Sequence, residues 1–221
     1  MAFENWYEPY KRINAYNTLP DADEILRKVL YYLIDMPAAG HTPFTDNRCP
    51  RVRIAKYLYH DTSRPLDQAV PTPQQKLSLI FDPSNPAEPP TSKGFRILPQ
   101  IASTEAQEDA QTRLYAFMGF VDPKNPYTAN ISVVFRILCN TSYDTNTKDA
   151  ALSRSWGIAQ AIVEALSGVN IDGVGTFYFD RQQHSECSIR YITDDQHNVG
   201  YQVVIGLSVM GDKRINTPTS D

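Results

Sequence analysis

The sequence predicts an α+β fold in which two main α-helices pack on a mostly antiparallel β-sheet. The first observation is the order of the elements: one helical pattern, about five strand-like runs, a second helical pattern and about three more strand-like runs. The second is that strand-like runs follow one another without a helical crossover, which favours antiparallel pairing. The third is a set of long loops rich in proline, since 16 of the 221 residues are proline.

We expect one domain over residues 19–212, preceded by an arm and followed by a short tail. The tail, 213–221, is expected to be flexible, and two long loops are predicted at about 60–75 and 83–94. The arm, 1–18, is expected to pack on its own domain or on a neighbouring subunit, because free aromatic rings are unfavourable in water. Its aromatic residues are Phe3, Trp6, Tyr7, Tyr10 and Tyr16.

Residues 19–37 are predicted to contain the first helix. Asp21 can cap its N-terminus, and Glu24, three residues later, gives a box-like start. Pro37 and Gly40 are expected to end it. Spacings of three and four residues place an apolar stripe on one face, which is typical of a helix that packs against a core. The stripe is Ile25, Leu26, Val29, Leu30, Leu33 and Ile34.

The strands are predicted from runs that are rich in β-branched and aromatic residues and bounded by turn-forming residues. In residues 51–60, alternation places Val52 and Ile54 near one face, with basic residues interspersed. The predicted strands before the second helix are 51–60, 76–82, 95–101, 112–120 and 129–140. Those after it are 174–180, 187–195 and 200–212.

The second helix is predicted at about 147–167, from apolar residues at helical spacing. We expect Trp156 to be buried between this helix and the sheet, because it lies on the predicted apolar face. That face consists of Leu152, Trp156, Ala159, Val163 and Leu166.

The stretch "LSGVNIDGVGTFYFD", 166–180, raises the question of a phosphate-binding loop, because it contains three glycines. Such a loop needs a strand, then the glycines, then a helix whose N-terminal amides face the anion. Here the order is reversed, and no lysine follows the glycines. The pattern instead indicates a helix end, with Gly168 at a position that favours positive φ, followed by a turn and a strand.

The composition favours an ordinary globular protein with no general affinity for nucleic acid or membranes. The formal net charge is -4 and 42% of the residues are hydrophobic. No apolar run approaches the length of a membrane span, and the N-terminus lacks an apolar secretory stretch. Three cysteines at wide spacing argue against a disulfide framework and suit a reducing cytoplasm. They are Cys49, Cys139 and Cys187.

No catalytic, cofactor-binding or metal-binding residues are predicted. The sequence has no nucleophile motif of the hydrolase type. "HSEC" brings His184 and Cys187 close together, but no further soft ligand follows at a metal-site spacing, so a polar hairpin turn is favoured over zinc. "ITDDQHN", 192–198, is interpreted as a turn in preference to a divalent-cation site. The basic residues Arg51, Arg53 and Lys56, with Lys11 and Arg12 in the arm, are too sparse for a nucleic-acid surface.

The order of elements resembles that of phage tail-terminator and neck proteins, which form a ring at the head-proximal end of the tail tube. That family has an N-terminal helix, an antiparallel sheet, a second helix on the sheet and closing strands. The resemblance is strongest over roughly 129–212. The corresponding segments are "DADEILRKVLYYLID", "ISVVFRILCN", "AALSRSWGIAQAIVEALSG", "VGTFYFD" and "YQVVIGLSVMG".

The resemblance implies a mechanical function without catalysis. Copies of the chain would form a closed ring, most often sixfold, that stops tube growth and joins the tail to the head. Its partners would be other copies of itself, the tail tube protein and head-proximal connector proteins. DNA would pass through the ring without sequence recognition, no membrane would be involved, and the protein would be part of the virion after assembly in the host cytoplasm.

Two alternatives remain at this point. One is a small-molecule-binding or enzymatic domain, with a site that forms only in three dimensions. The aromatic segments "FYFD" and "RLYAFMGF" would then line a pocket. The other is an adaptor that binds another protein through residues 1–18.

Overall fold

A computed structural model describes residues 22–37, 40–81, 94–99, 111–125, 128–144, 153–193 and 197–210. The predicted N-terminal arm and C-terminal tail lie outside the described residues. The loop at 83–94 does as well, apart from Gly94.

The described residues form helices and strands in an α+β order. The helices are α1 (Ala22–Leu33), α2 (Pro50–Tyr59), α3 (Pro73–Leu77), α4 (Thr141–Asp144) and α5 (Arg154–Leu166), with a 3₁₀ turn at Pro65–Asp67. The strands are β1 (Ile97–Leu98), β2 (Thr112–Asn125), β3 (Thr128–Asn140), β4 (Asn170–Ile171), β5 (Gly175–Tyr178), β6 (Ser188–Thr193) and β7 (Asn198–Met210).

The strands form one seven-stranded sheet. Its order is β1-β2-β3-β7-β5-β4, and β6 also pairs with β7. Strands β1 and β2 are parallel, whereas the other described pairs are antiparallel. The predicted α+β class with a mostly antiparallel sheet is therefore confirmed.

The core lies between one face of the sheet and the helices. Because side chains alternate along a strand, every second residue of β3 and β7 points toward the helices. Phe135 and Ile205 on that face are fully buried, together with Ile158 and Ile162 of α5. The opposite face, here called the outer face, carries the intervening residues.

Helix α1 uses the predicted apolar stripe. All six of its residues are buried against the core. Beyond the helix, Asp35 adopts a positive φ of 57°, an uncommon conformation for a residue other than glycine. The chain therefore turns sharply between α1 and Pro37.

The strand predicted at 51–60 is wrong, because this segment is the helix α2. Pro50 starts the helix at a position where a missing N–H costs nothing. Residues 52, 54, 55, 56, 57 and 58 are all buried, so almost the whole circumference of the helix faces other elements. A helix that is buried on almost all sides lacks the one-sided apolar stripe on which a helix prediction depends. The β-branched residues Val52 and Ile54 instead suggested the alternating pattern of a strand. The sheet thus carries a third long helix that the sequence pattern did not predict.

The strand predicted at 76–82 is also wrong in its first half. Thr72 and Gln75 form a capping box: the Thr72 hydroxyl accepts from the Gln75 N–H at 3.4 Å, and Gln75 Oε1 accepts from the Thr72 N–H at 2.8 Å. With Pro73 behind the cap, the chain turns into α3. Of its described residues, 76–81, Ile80 makes a β-bridge to Ile97. Of the strand predicted at 95–101, the described part is extended only at β1.

The predicted burial of Trp156 is wrong. Trp156 is half-buried and its ring lies edge-on against Tyr201, with ring centroids 5.1 Å apart. Helix α5 is rotated relative to the predicted face, because small residues such as Gly157 and Ala161 let it approach α2 and the sheet closely. The buried face instead contains Ser155, Ile158, Ala159, Ile162, Ala165 and Leu166.

Candidate functional site

Strands β5 and β6 are two parts of one edge along β7. Tyr178 at the end of β5 pairs with Gly206, and Ser188 at the start of β6 pairs with Val204. Residues 179–187 therefore stand opposite Ile205 alone, and they leave the sheet as a loop. This edge loop is a large interruption of a strand, and such interruptions often redirect side chains toward functional sites.

The edge loop is held in a defined conformation by hydrogen bonds. The His184 N–H donates to the Asp180 carbonyl at 2.8 Å, and the Cys187 N–H donates to the His184 carbonyl at 3.1 Å. Asp180 Oδ1 accepts from the Gln182 N–H at 2.9 Å, and the Cys187 thiol donates to the Tyr178 carbonyl at 3.3 Å. The predicted turn at "HSEC" is confirmed, but it is not a hairpin, because the flanking strands pair with β7.

His184 packs directly on the backbone of Gly206. A Cβ atom at position 206 would lie 2.6 Å from His184 Cβ and 2.8 Å from Cγ, so only glycine allows this contact. His184 is 7% exposed. Among the described residues its Nδ1 atom has no hydrogen-bond partner. It is one of seven buried side-chain nitrogen and oxygen atoms without a hydrogen-bond partner in the described residues.

A pocket of about 150 Å³ lies between the edge loop and the outer face. The "FYFD" segment proposed as a pocket wall begins in β5 and supplies Tyr178, whereas "RLYAFMGF" supplies no lining residue. Its lining carries several hydrogen-bonding side chains and no charged one. The lining residues are Asn130, Tyr178, Gln183, His184, Gly206, Leu207 and Ser208.

Three aromatic rings form a row beside the open edge of β6. Trp156 contacts Tyr201, and Tyr201 contacts Tyr191 with ring centroids 5.6 Å apart, both in edge-on geometry. Burial raises the pKa of Tyr201, with Asp144 and Tyr191 adding to the shift. Tyr191 is 60% exposed. Within the described part of the chain β6 pairs with β7 only, so its other side presents backbone groups next to this aromatic row.

A second polar cluster, here called the Asp35 cluster, joins α1, α2 and α3. Asp35 is fully buried. Its Oδ1 accepts from His41 Nε2 at 2.9 Å and lies 3.3 Å from Arg51 Nη2. Its Oδ2 accepts from the Phe44 N–H at 2.6 Å, and its carbonyl accepts from Lys76 Nζ at 2.7 Å.

The Asp35 cluster is electrostatically compensated. Burial lowers the pKa of Lys76, and the neighbouring Asp35 carboxylate opposes that shift. The Arg51 guanidinium lies 4.5 Å from the ring centre of Tyr32 and 4.9 Å from that of Phe44. Both carboxylate oxygens of Asp35 have partners inside the protein. We therefore interpret the cluster as a structural joint, that is, a set of contacts that holds α1, α2 and α3 together.

The glycine-rich stretch behaves as a connection between elements. Gly168, Gly173 and Gly175 have positive φ values of 76°, 69° and 133°. Helix α5 precedes them and β5 follows, so the order that a phosphate loop needs is absent from this stretch. The predicted positive φ at Gly168 is confirmed.

The candidate ligands of the sequence are not brought together within the described ranges. No group of three or more His, Cys, Asp or Glu residues that could hold a metal ion occurs in them. The described cysteines Cys49, Cys139 and Cys187 are free thiols. Asp194 and Asp195 of "ITDDQHN" lie outside the described residues, whereas the His197 carbonyl accepts from Thr141 at 2.7 Å.

The basic residues of α2 are used inside the protein. Arg51 belongs to the Asp35 cluster, Arg53 pairs with Glu164 of α5, and Lys56 Nζ donates to Asn47 Oδ1 at 2.7 Å. Lys11 and Arg12 lie outside the described residues. Each of the three basic side chains of α2 therefore has a partner inside the protein, and no nucleic-acid partner is needed to explain them.

Sequence reasoning missed the roles of Arg154, Asp35 and Gly206. Arg154 is 1% exposed and donates to the carbonyls of Tyr57 and His60 at the C-terminus of α2, where a cation is favourable. A lone glycine inside an apolar strand was the available signal for Gly206, because it often marks a close approach of other groups. No comparable local signal marks Asp35 or Arg154.

No helix in the described part of the chain is long and apolar enough to cross a membrane. The YomW family model matches residues 52–205, which run from α2 through the edge loop into β7. Comparison with curated proteins gave no match, and comparison with solved structures gave none either.

Proposed function

This chain belongs to the YomW family, whose Bacillus phage-derived name indicates a phage-associated protein, and from this premise we propose that it is a structural subunit of a phage particle. Its proposed position is the head-proximal end of the tail tube, as a tail terminator or neck protein. There it would end tube growth and join the tail to head-proximal connector proteins, and DNA would pass without sequence recognition. The role is mechanical and requires no catalysed reaction.

The observation that carries this proposal is the edge of β6 that has no strand partner within the described residues and lies beside the aromatic row. Tyrosine and tryptophan are enriched among the residues that dominate protein interfaces, because they bury a large apolar area and keep a polar tip. An unpaired strand edge adds backbone hydrogen bonds to such a contact. Tyr191, at 60% exposure, is the natural centre of the surface.

A ring would use this surface head-to-tail. In a closed ring each subunit presents two different patches, one to each neighbour. The edge of β6 with Tyr191 would be one patch, and about six copies would close the ring. In this proposal the protein is made in the host cytoplasm, assembles there into the ring and becomes part of the virion.

The test compares Tyr191→Asp with Phe120→Asp. Tyr191→Asp places a charge at the proposed contact, whereas Phe120, also exposed at 49%, lies on β2 and serves as the matched control. The full-length wild type and the Phe120 variant are expected to form rings by native mass spectrometry and electron microscopy. The Tyr191 variant is expected to dissociate at least about tenfold more readily while its melting temperature changes little.

Two results would contradict the proposal. If the wild type stays monomeric at high concentration, and also when mixed with tail tubes, the proposed ring does not form. If the Tyr191→Asp variant forms rings as stable as those of the wild type, the edge of β6 is not the contact surface between subunits.

A further inference from the structure

One proline-rich segment of the chain has the sequence pattern of a polyproline II helix. The segment is "DPSNPAEPP", 82–90, and Pro83, Pro86 and Pro89 follow one another at intervals of three residues. A polyproline II helix has three residues per turn, so in this conformation the three prolines lie along one face. The helix has no internal hydrogen bonds, and its carbonyls are therefore available as acceptors. Segments of this kind bind to surfaces lined by aromatic rings.

The aromatic row beside β6 offers such a surface. Adjacent ring centroids of Trp156, Tyr201 and Tyr191 are 5.1 Å and 5.6 Å apart. The row is therefore at most about 11 Å long, close to the rise of about 9 Å over one turn of polyproline II. Tyr191 is 60% exposed and the other two rings are partly exposed, so a ligand can contact them. Two prolines that are three residues apart can thus pack on two rings of the row.

The proline-rich segment begins at the edge of the sheet that is opposite to β6. The Phe81 N–H, just before the segment, donates to the Ile97 carbonyl of β1 at 2.9 Å. Strands β2, β3 and β7 lie between β1 and β6. At about 4.8 Å per strand spacing, the two edges are roughly 19 Å apart along the sheet. Phe81 also packs against a cluster on the outer face, whereas Tyr201 packs against the core on the helix side.

This position favours binding to another copy over binding within the same chain. The two ends of the segment lie together, because the ring centroids of Phe81 and Phe95 are 5.3 Å apart. A loop of about twelve residues with joined ends extends over half its contour length, roughly 20 Å. It would reach β6 of its own chain only when fully stretched, and no residues would remain to lie along the row. The row of a neighbouring subunit is not subject to this limit.

We propose that the aromatic row binds the proline-rich segment 82–90 of a neighbouring copy in the polyproline II conformation. The inference rests on the proposed ring, since it names the second patch of the same head-to-tail contact. The prolines pack on the rings, and the carbonyls of the segment accept from the Trp156 indole N–H and the tyrosine hydroxyls. Proline fixes φ, so less conformational entropy is lost when the segment binds.

The first experiment measures binding of a synthetic peptide with the sequence of residues 82–91. The receptor is the full-length chain carrying Pro83→Ala, Pro86→Ala and Pro89→Ala, so that its own segment does not compete. Calorimetry is expected to give a Kd of about 1 mM or tighter. The control is a peptide of the same composition in which no two prolines are three residues apart, and it is expected to bind at least about tenfold more weakly.

Two further substitutions in this receptor assign the binding to the aromatic row. Tyr191→Asp removes an exposed ring of the row and is expected to weaken peptide binding at least about tenfold. Phe120→Asp changes an exposed ring on β2, outside the row, and should leave the affinity unchanged. Circular dichroism and the melting temperature verify that both receptors are folded.

The second experiment tests the same contact between subunits by native mass spectrometry. Rings of the triple proline variant are expected to dissociate at least about tenfold more readily than those of the wild type. The matched control combines Ser84→Ala with Asn85→Ala, which change the same segment away from its proline face, and should form rings as the wild type does. An excess of the 82–91 peptide is expected to dissociate wild-type rings.

The outcomes separate this inference from the proposed ring. Wild-type rings that the proline substitutions do not weaken, or equal binding of the two peptides, would overturn the inference and leave the ring in place. Peptide binding by a chain that never forms rings would contradict the ring and still support recognition of this segment by the row. If the wild-type monomer excludes a peptide that the triple variant binds, the segment occupies the row of its own chain, and a neighbouring copy is the wrong occupant.

Discussion

The Asp35 cluster lies between α1, α2 and α3, whereas the pocket beneath the edge loop lies on the outer face of the sheet. Both place polar side chains out of water. In the Asp35 cluster, His41, Arg51 and the Phe44 N–H meet the two carboxylate oxygens, and Lys76 meets the carbonyl. In the pocket, Nδ1 of His184 has no such partner among the described residues.

This difference separates a cluster in which the buried charge is paired from a cavity wall that contains an unpaired buried nitrogen. A buried charge that is fully paired holds elements together, but it has no capacity left for a ligand. A buried polar atom without a partner does not stabilise the fold, because it has lost its hydrogen bonds to water. We therefore expect the Asp35 cluster, and not His184 Nδ1, to contribute to stability.

The largest expected effect comes from removing the carboxylate of the joint. Asp35→Ala should lower the free energy of unfolding by about 3–5 kcal/mol, because it leaves Lys76 and Arg51 without their buried counter-charge. Urea denaturation measures the change. Asp122→Ala is the control: Asp122 pairs with Lys124 at the surface, and its loss should cost less than about 1 kcal/mol. Equal losses in the two variants would show that the joint is not what stabilises this region.

A smaller effect is expected where the edge loop meets the sheet. Gly206→Ala should cost about 1–3 kcal/mol, because the new Cβ would lie 2.6 Å from His184 Cβ. In a His184→Gly background that atom is gone, so the penalty should fall by at least about 0.5 kcal/mol. Gly157→Ala, whose new Cβ would lie nearest to Tyr57 and away from His184, should cost the same in both backgrounds. An unchanged Gly206→Ala penalty would mean that the loop does not rest on this glycine.

The smallest expected effect is a pH dependence from Lys76. Burial lowers its pKa in the folded state below the ordinary 10.5, opposed by Asp35 and Cys49 and assisted by Arg51. Between the lowered pKa and 10.5 the unfolded chain binds more protons, so this group makes stability rise with pH in that window. The wild type should gain stability relative to Lys76→Met as pH rises, by less than about 1.4 kcal/mol per pH unit. A difference that is flat or falls with pH would refute the assignment.

The sequence predicted α1, which has one buried face, and the strands β2 and β3, whose β-branched and aromatic residues are typical of strands. Helix α1 showed a complete apolar stripe, and β3 was predicted to within one residue of its observed bounds. Strand β2 begins where it was predicted but continues to Asn125, beyond the predicted end at residue 120. The prediction failed for α2, which is buried almost all round, and for Trp156, which lies at the margin of the α5 interface. For α2, close packing against several elements removes the contrast between a polar and an apolar face. For α5, the small residues Gly157 and Ala161 shift the buried face away from Trp156.

By itself, the sequence determined the α+β class, the mostly antiparallel sheet, the turn at "HSEC" and the positive φ at Gly168, because each depends on local periodicity or on the conformational freedom of one residue. Only the tertiary structure decided that β5 and β6 share one edge of β7, that His184 lies on Gly206, and that Asp35 gathers residues from α2 and α3. These are contacts between positions far apart in the chain. They form only when the whole chain folds, so no local sequence pattern predicts them.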